Sequence, residues 1–380
     1  MPAPTTLELF TPFFVNLTDP RIDRSKRHPL LTIIILAVCG TLGGADGWAD
    51  IERFGRAKLD FFRRFLDLPH GIPSHDTFGR VFARLDPAAL LLCIHRWLAA
   101  LGAAVAGEVV AIDGKTLRRS FDRAAERDPL HLVSAWATEA RLVLGQVAVQ
   151  AKSNEITAIP LLLELLDLRG CVVTIDAMGC QTEIAAAIRG RDADYVLAVK
   201  DNQPTLHRAV HDAFVAHAEA DFTDPSVRRL KTVDRGHGRI ETREYFCADA
   251  PPALRRGGRW KDLTSIGMAV RTRVVNGAAT DEVVYYISSL PPKVKTFAKA
   301  ARGHWGIENR LHWSLDVTFA EDQSRVRKDH GPENLGLLRR LALSILQRDT
   351  SSKDSLRGKR LLAGWDEDRL LTFLTAFSGQ

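Results

Sequence analysis

The sequence predicts an α/β fold in which an N-terminal helical region precedes a strand-and-helix core, and a β-rich insertion interrupts that core. Three observations carry this. Apolar residues recur at helical spacing up to about residue 100. Short β-branched runs then alternate with helical segments up to about residue 221. From about 222 to 292, Arg, Gly and Thr alternate with apolar residues between turn dipeptides. The chain has 380 residues, more than one small core needs, so several units are expected: 1–100, 101–221, 222–292, 293–348 and a tail, 349–380.

In the first unit, Leu59, Phe62, Phe65 and Leu66 recur at helical spacing, with Lys58, Asp60, Arg63 and Arg64 on other faces. The apolar run Leu30 to Cys39 follows Arg24, Lys26 and Arg27, an order that imitates a signal peptide. It starts too far along, lacks a convincing cleavage site, and is shorter than the ~20 residues that span a bilayer. Gly40, Gly43 and Gly44 then interrupt it. A buried helix is expected, with no membrane partner, and a cytoplasmic protein. Gly71 to Phe78 reads as a turn and a helix start capped by Ser74. Phe78, Val81, Phe82 and Leu85 make its apolar face, and Arg80 and Arg84 lie one helical step apart on the exposed side. Such a helix can dock on DNA or cap the next unit, and the residues leave both open.

The core opens with Glu108 to Asp113, an apolar run ending in a carboxylate. Leu130 to Trp136 and Leu142 to Val149 read as a hairpin joined through Thr138 to Arg141. Ile156 to Leu166 is apolar at helical spacing. Cys171 to Asp176 is a second buried strand ending in a carboxylate, followed by a helix over about 182–189 and a strand over 195–199. The insertion shows strand patterns in Val233 to Phe246, Ser265 to Val275 and Glu282 to Ser288, with turns at Gly236-His237-Gly238 and Asn276-Gly277. After Pro291-Pro292, helices are expected over about 295–315 and 332–348. The tail from Asp349 to Gly358 reads as polar and loose.

With 46% hydrophobic and 26% charged residues, the composition is that of an ordinary globular protein. A net charge of +6 permits a polyanionic partner without requiring one. The five cysteines are odd in number and form no CxxC pair, and several sit in apolar runs, so they read as buried thiols in a reducing compartment and not as a disulfide frame or a zinc site.

The aspartates carry the chemistry. Val109-Val110-Ala111-Ile112-Asp113-Gly114 and Val172-Val173-Thr174-Ile175-Asp176-Ala177 have the same form. Two carboxylates at the rims of neighbouring buried strands repel each other, and a hard divalent cation relieves that repulsion. One such Asp alone reads as a loop cap; the matched pair points to a metal site. A third acid should come from a helix packed on the sheet. In His304 to Trp313, positions 304, 308 and 312 share one helical face, so Glu308 sits between two histidines. A His/Glu/His zinc site competes, but HExxH is absent and no cysteine is near. Asp316 is the reserve candidate; Glu321 and Asp322 read as loop or cap residues.

Basic residues crowd these acids: Lys115, Arg118 and Arg119 after the first Asp, and Lys200, Asn202 and Gln203 after the last core strand. Such groups suit phosphate contacts as well as a solvated surface. In the insertion, Arg235, His237, Arg239 and Arg243 cluster, with Trp260 nearby; Trp260 reads as core before it reads as a base-stacking residue.

Taken together, Gly71-Ile72-Pro73-Ser74-His75-Asp76-Thr77-Phe78, Ala111-Ile112-Asp113-Gly114-Lys115-Thr116, Ile175-Asp176-Ala177, Lys200-Asp201-Asn202-Gln203 and His304-Trp305-Gly306-Ile307-Glu308-Asn309 give the chain a resemblance over nearly its whole length. It resembles the ISAs1-type transposases of bacterial insertion sequences, the H-repeat-associated proteins. The resemblance implies an RNase H-like core with Asp113, Asp176 and Glu308 as catalytic and metal-binding acids, and two Mg²⁺ (or Mn²⁺) ions. It also implies action on terminal inverted repeats and target duplex DNA. Paired ends favour a homodimer or larger synaptic complex. The third-acid helix departs from the wider IS4-type Tyr-Arg-Glu-Lys pattern: Ala301 stands where Tyr is expected, His304 where Arg is, and Leu315 where Lys is. DNA contacts are expected from Arg80, Arg84, Lys115, Arg118, Arg119, Lys200, Asn202, Gln203, Arg235, His237, Arg239, Arg243, His304 and His312. The rival readings are a nuclease of the same fold that does not join strands, and an inactive DNA-binding relic.

Overall fold

The apolar runs and their punctuation fold as periodicity dictates, into a mixed α/β protein built on one large sheet. The computed structural model describes residues 6–100, 105–123, 125–149, 155–236 and 238–375. The helices before the sheet are α1 (Thr6–Phe14), α2 (Leu30–Leu42), α3 (Trp48–Ala57), α4 (Leu59–Phe62), α5 (His75–Arg84) and α6 (Pro87–Ala100). The strands β1 (Val109–Thr116), β2 (His131–Ala137) and β3 (Leu142–Val149) follow, then α7 (Glu155–Glu164), β4 (Val172–Ile175), α8 (Thr182–Arg189), β5 (Asp194–Val199) and α9 (Pro204–Glu219). Next come β6 (Arg228–Gly236), β7 (Arg239–Asp249), α10 (Pro252–Arg256), β8 (Ser265–Val275) and β9 (Ala278–Ser288). The chain closes with α11 (Val294–Gly306), a π-helical turn (Ile307–His312), α12 (Trp313–Phe319), α13 (Gly331–Arg348), α14 (Leu356–Trp365) and α15 (Glu367–Thr375).

The sheet order is β3-β2-β1-β4-β5-β9-β8-β7-β6. β1 runs antiparallel to β2 and parallel to β4, and β4 is parallel to β5. The strands expected as a separate insertion are therefore added to the edge of the core sheet, because β9 pairs antiparallel with β5 through Val196↔Ser288 to Val199↔Tyr285. The β8–β9 hairpin turns on Asn276 and Gly277, both at positive φ (50° and 82°), the backbone that two-residue hairpin turns require.

Alternation divides the strands between two faces. Val110, Ile112, Val173, Ile175 and Leu197 point into a core with α7, α8 and α9. Val109, Val172, Val196 and Ala198 point the other way, against Phe297, Ala298, Ala300 and Ala301 of α11. Trp260 is 5% exposed and belongs to the α7–α9 core, the core position expected of it, although its sequence neighbours are basic and polar.

α2 is apolar on all sides and buried from Thr32 to Leu42. It fills a helical layer shared by N-terminal and C-terminal segments: Ile33, Phe62 and Phe82 join Leu338, Leu343 and Phe373, and this layer also covers Ala111, Trp136 and Leu142 of the sheet. Residue 100 is therefore no boundary between cores. Ser74 caps α5, its side chain accepting from the Thr77 N–H at 3.4 Å. Of the stretch expected to be loose, Asp349 to Gly358, residues 349–355 carry no helix or strand, while Leu356 to Gly358 already belong to a helix. Beyond residue 355 the chain forms α14 and α15, and the buried Arg360 donates to the carbonyls of Thr41, Ala45 and Thr318. Among the described residues, no helix is long and apolar enough to cross a membrane.

Candidate active site

β1 does not end at Asp113. Its hydrogen bonding runs on to Thr116, so Asp113 is the fifth of eight residues and lies opposite Ser134 of β2. Alternation places Asp113 and Lys115 on the same face as Val109 and Ala111, the face covered by α11. Asp176 directly follows β4. Its Oδ1 accepts from the N–H groups of Met178 (3.1 Å) and Gly179 (3.4 Å), which fixes the carboxylate where the strand leaves the sheet.

α11 brings the third acid. Gly303 lets it settle on β1: a Cβ there would lie 3.0 Å from Val109 Cγ1. One residue on, His304 Nδ1 is 3.3 Å from Thr174 Oγ1, beside the strand that leads to Asp176. The helix then widens into its π-helical turn, and His312 Nδ1 lies 3.7 Å from Asp113 Oδ2. Glu308 sits between these two anchors, exposed, and lines a groove of about 640 Å³.

The charges act on one another. Burial, with the negative charges of Asp176, Glu308 and Glu155, pushes the Asp113 carboxyl up to about 7. Among the described residues, no group of three or more His, Cys, Asp or Glu side chains is gathered closely enough to grip an ion by itself. The donor chemistry nonetheless fits a hard divalent cation: the acids offer oxygen only, and burial together with neighbouring negative charges that nothing offsets pushes one of them up. Glu155 was not singled out from the sequence. It is buried, its Oε1 lies 2.6 Å from His131 Nε2, and a Cβ on Gly114 would meet those two atoms at 2.5 and 2.2 Å. Residue 114 therefore has to be glycine for this pair to pack behind the strand.

A raised carboxyl pKa has a consequence for stability. Because the folded-state value lies above the ordinary 3.8, ionising Asp113 costs the fold increasingly as pH rises from about 4 to about 7, and the cost levels off above that. Asp113→Asn is expected to melt at a higher temperature than wild type at pH 8, with the gap closing by about pH 4. A gap that is the same at both pH values would show that Asp113 ionises freely.

Several residues expected to contact DNA are engaged within the protein. Lys115 is buried, and its ammonium is held by Asp316 (2.5 Å), Glu321 (3.1 Å) and Asp322 (3.2 Å), so it has no donor left for a phosphate. Asp316, the reserve third acid, is engaged there. Asn202 donates to the Ala177 carbonyl and Gln203 to the Cys180 carbonyl, tying the start of α9 to the segment after Asp176. Arg243 is half-buried against Asp234 and Glu241. Burial pushes His304 down and holds His312 at about 3, so neither is a cation at neutral pH.

The others are surface residues. Arg80, Arg84, Arg118, Arg119, Lys200, Arg235 and Arg239 are exposed, though Arg118 leans on Asp322 at 3.2 Å and Arg80 on Asp76 at 3.8 Å. His237 lies outside the described residues. The sequence reading missed Arg271, Arg273, Arg302 and Arg310, which line the same groove as Glu308 and Arg239. Arg271 stacks on Trp305 at 4.8 Å. Alternation along the β7–β8 hairpin was the signal: Arg243 pairs with Arg271 and Glu241 with Arg273 in register. Ala301 and Leu315, where the wider pattern has Tyr and Lys, are buried in the protein core.

Two protein families match the chain. The family described as "Transposase DDE domain" matches residues 106–345, and one described as "DDE_Tnp_1-associated" matches residues 11–98. The "H repeat-associated putative transposase YhhI" of Escherichia coli strain K12 is 39% identical over 363 residues, covering 94% of this chain and 95% of that protein. The "Putative transposase YncI" of Escherichia coli O157:H7 is 40% identical over 348 residues, 90% of this chain and 88% of that protein. A shorter relative, "Inactive transposase YbfQ" of strain K12, is 46% identical over 57 residues, 15% of this chain and 68% of that protein.

Proposed function

Because the chain belongs to the transposase DDE domain family, we propose that it cuts DNA at the ends of an insertion sequence and joins the freed 3′-OH to target DNA. The observation that carries this is the nearness of Asp113, Asp176 and Glu308 on one face of the sheet, where burial and then the charges of Asp176 and Glu308 push the Asp113 carboxyl up to about 7. The β3-β2-β1-β4-β5 half of the sheet then serves as an RNase H-like core. The three acids would hold the divalent ions, two of Mg²⁺ or Mn²⁺. Bound there, such ions activate the attacking oxygen and stabilise the leaving one in phosphoryl transfer. The chain's own part is to fix the acids. β1 and the cap after β4 hold the two aspartates, and the two histidine contacts lay the helix of Glu308 across both strands.

DNA would lie in the groove beside Glu308, where Arg239, Arg273 and Arg310 are exposed. Replacing these three with alanine is expected to weaken binding of an end-containing duplex. It should also flatten the salt dependence by about 0.9 log units per log unit of salt for each phosphate no longer neutralised. A slope identical to wild type, measured by anisotropy between about 50 and 200 mM salt, moves the DNA elsewhere.

The function itself is tested with a duplex that carries the element's terminal repeat, incubated with Mg²⁺ and a plasmid target. Cut ends joined to plasmid support the transposase reading. Cutting without joining makes the protein a nuclease. Binding with neither reaction makes it a silent relic, a state that one short relative's name records.

A further inference from the structure

The loop after β1 and the loop before α13 are about two hundred residues apart in sequence, yet they build one basic surface. Arg327 Nε donates to the Arg119 carbonyl at 3.1 Å, and its guanidinium stacks on Phe121 at 4.3 Å. Arg127 reaches Asp329 at 3.5 Å, and Arg123 lies 5.5 Å from the same Phe121 ring. Arg119, Arg123, Arg325 and Lys328 are exposed around this seam. Its far edge is tied to α5, where the Ala83 carbonyl accepts from His330 N–H, so the exposed Arg84 borders the same surface.

Its position matters. The groove beside Glu308 reaches Thr138 and Glu139, and Thr138 N–H bonds the Val109 carbonyl at the beginning of β1. The two-loop surface starts where β1 ends, at Leu117, whose N–H bonds Leu130. Asp113 lies between them on the same strand. At about 3.3 Å per residue, Arg119 is at most roughly 20 Å from Asp113. The acids therefore stand between two separate basic surfaces, one a groove and the other an open platform of loops. The platform is also anchored to the site: Arg118 and Lys115 share Asp322.

We propose that this platform holds the second DNA, the target duplex that receives the cut end, while the groove holds the end itself. The proposal rests on the transposase reading, since only a joining enzyme must bring two DNA segments to one set of acids. The platform offers exposed guanidinium and ammonium groups on loops, with its aromatic ring already covered by Arg327. Those groups suit sequence-neutral contacts to phosphates and leave little for reading bases. A target chosen with little regard to sequence needs no more.

The test is the triple charge reversal Arg119→Glu, Arg325→Glu and Lys328→Glu, with the corresponding alanine triple as a milder form. Joining of pre-cut ends to a plasmid is expected to fall at least tenfold more than cleavage of an end-containing duplex. The groove variants should instead lose cutting and joining in step. Independently of catalysis, binding of a duplex lacking the terminal repeat should lose salt dependence, by roughly 2–3 log units per log unit of salt when three phosphates go unneutralised. Equal losses of cutting and joining, or an unchanged salt slope for the duplex lacking the repeat, would overturn the platform. If the wild type neither cuts nor joins, the transposase reading falls, and the binding slope still decides whether this surface holds DNA.

Discussion

Asp176→Asn is expected to leave folding and end binding nearly intact and to abolish both cutting and joining. Asparagine keeps the shape and the acceptor for the Met178 and Gly179 N–H groups, so the cap after β4 survives. It removes the negative charge, and a neutral amide is a poor ligand for a hard cation. The informative substrate is a pre-nicked end that already carries its 3′-OH, because one set of acids serves both steps. The loss should be several orders of magnitude in rate, with melting temperature equal to or above wild type, since one charge leaves a cluster that repels itself. A mutant that joins pre-nicked ends at the wild-type rate would remove Asp176 from the site and sink the mechanism.

Glu321→Ala should have the largest effect on stability. Glu321 is fully buried between Lys115 (3.1 Å) and Arg340 (2.8 Å). Burial alone would raise its carboxyl, but Arg340 and Lys115 outweigh it and hold the group at about 2. Removing the carboxylate takes the ion-pair partner from the buried Arg340 and one of three carboxylates from Lys115, a loss of about 3–5 kcal/mol. Urea unfolding at pH 7 should give a much lower midpoint. The sign with pH follows from the depressed value: the stabilisation is present above about 4.5 and is lost as pH falls through about 2. The two proteins should converge only in strong acid. A midpoint at pH 7 within error of wild type would mean that Lys115 and Arg340 find other partners.

The same network explains what the sequence could and could not reveal. Strands and helices of the core follow local periodicity, so segments such as 142–149, 182–189 and 265–275 were legible to the residue. The end of β1 was not, because the apolar run stops at Ile112 while the hydrogen-bond ladder to β2 continues under Gly114, Lys115 and Thr116. Lys115 read as a phosphate contact because its neighbours in sequence are arginines. Its neighbours in space, Asp316 and Glu321, come from the far end of the chain. Arg243 misled in the same way, since Asp234 reaches it only across a hairpin. The C-terminal helices were missed because the polar stretch from Asp349 to Gly358 read as the start of a loose tail, although Leu370, Phe373 and Leu374 beyond it are apolar at helical spacing and buried. The acids stood out because hydrophobic strands that end or pause at a carboxylate are a local signal.

The π-helical turn under Glu308 settles a conflict between two ends of one helix. Upstream, Gly303 and His304 are seated on Val109 and Thr174. Downstream, Asp316 is fastened to Lys115. An α-helix advances about 100° for each residue, so without the wide turn everything after it would face another direction. Trimming one residue there would keep the segment helical but swing either Glu308 or the Asp316 fastening out of line. The segment thus behaves as a spliced joint, carrying an inserted residue that lets two independently anchored pieces run as a single rod, and its length is as much constrained as its side chains.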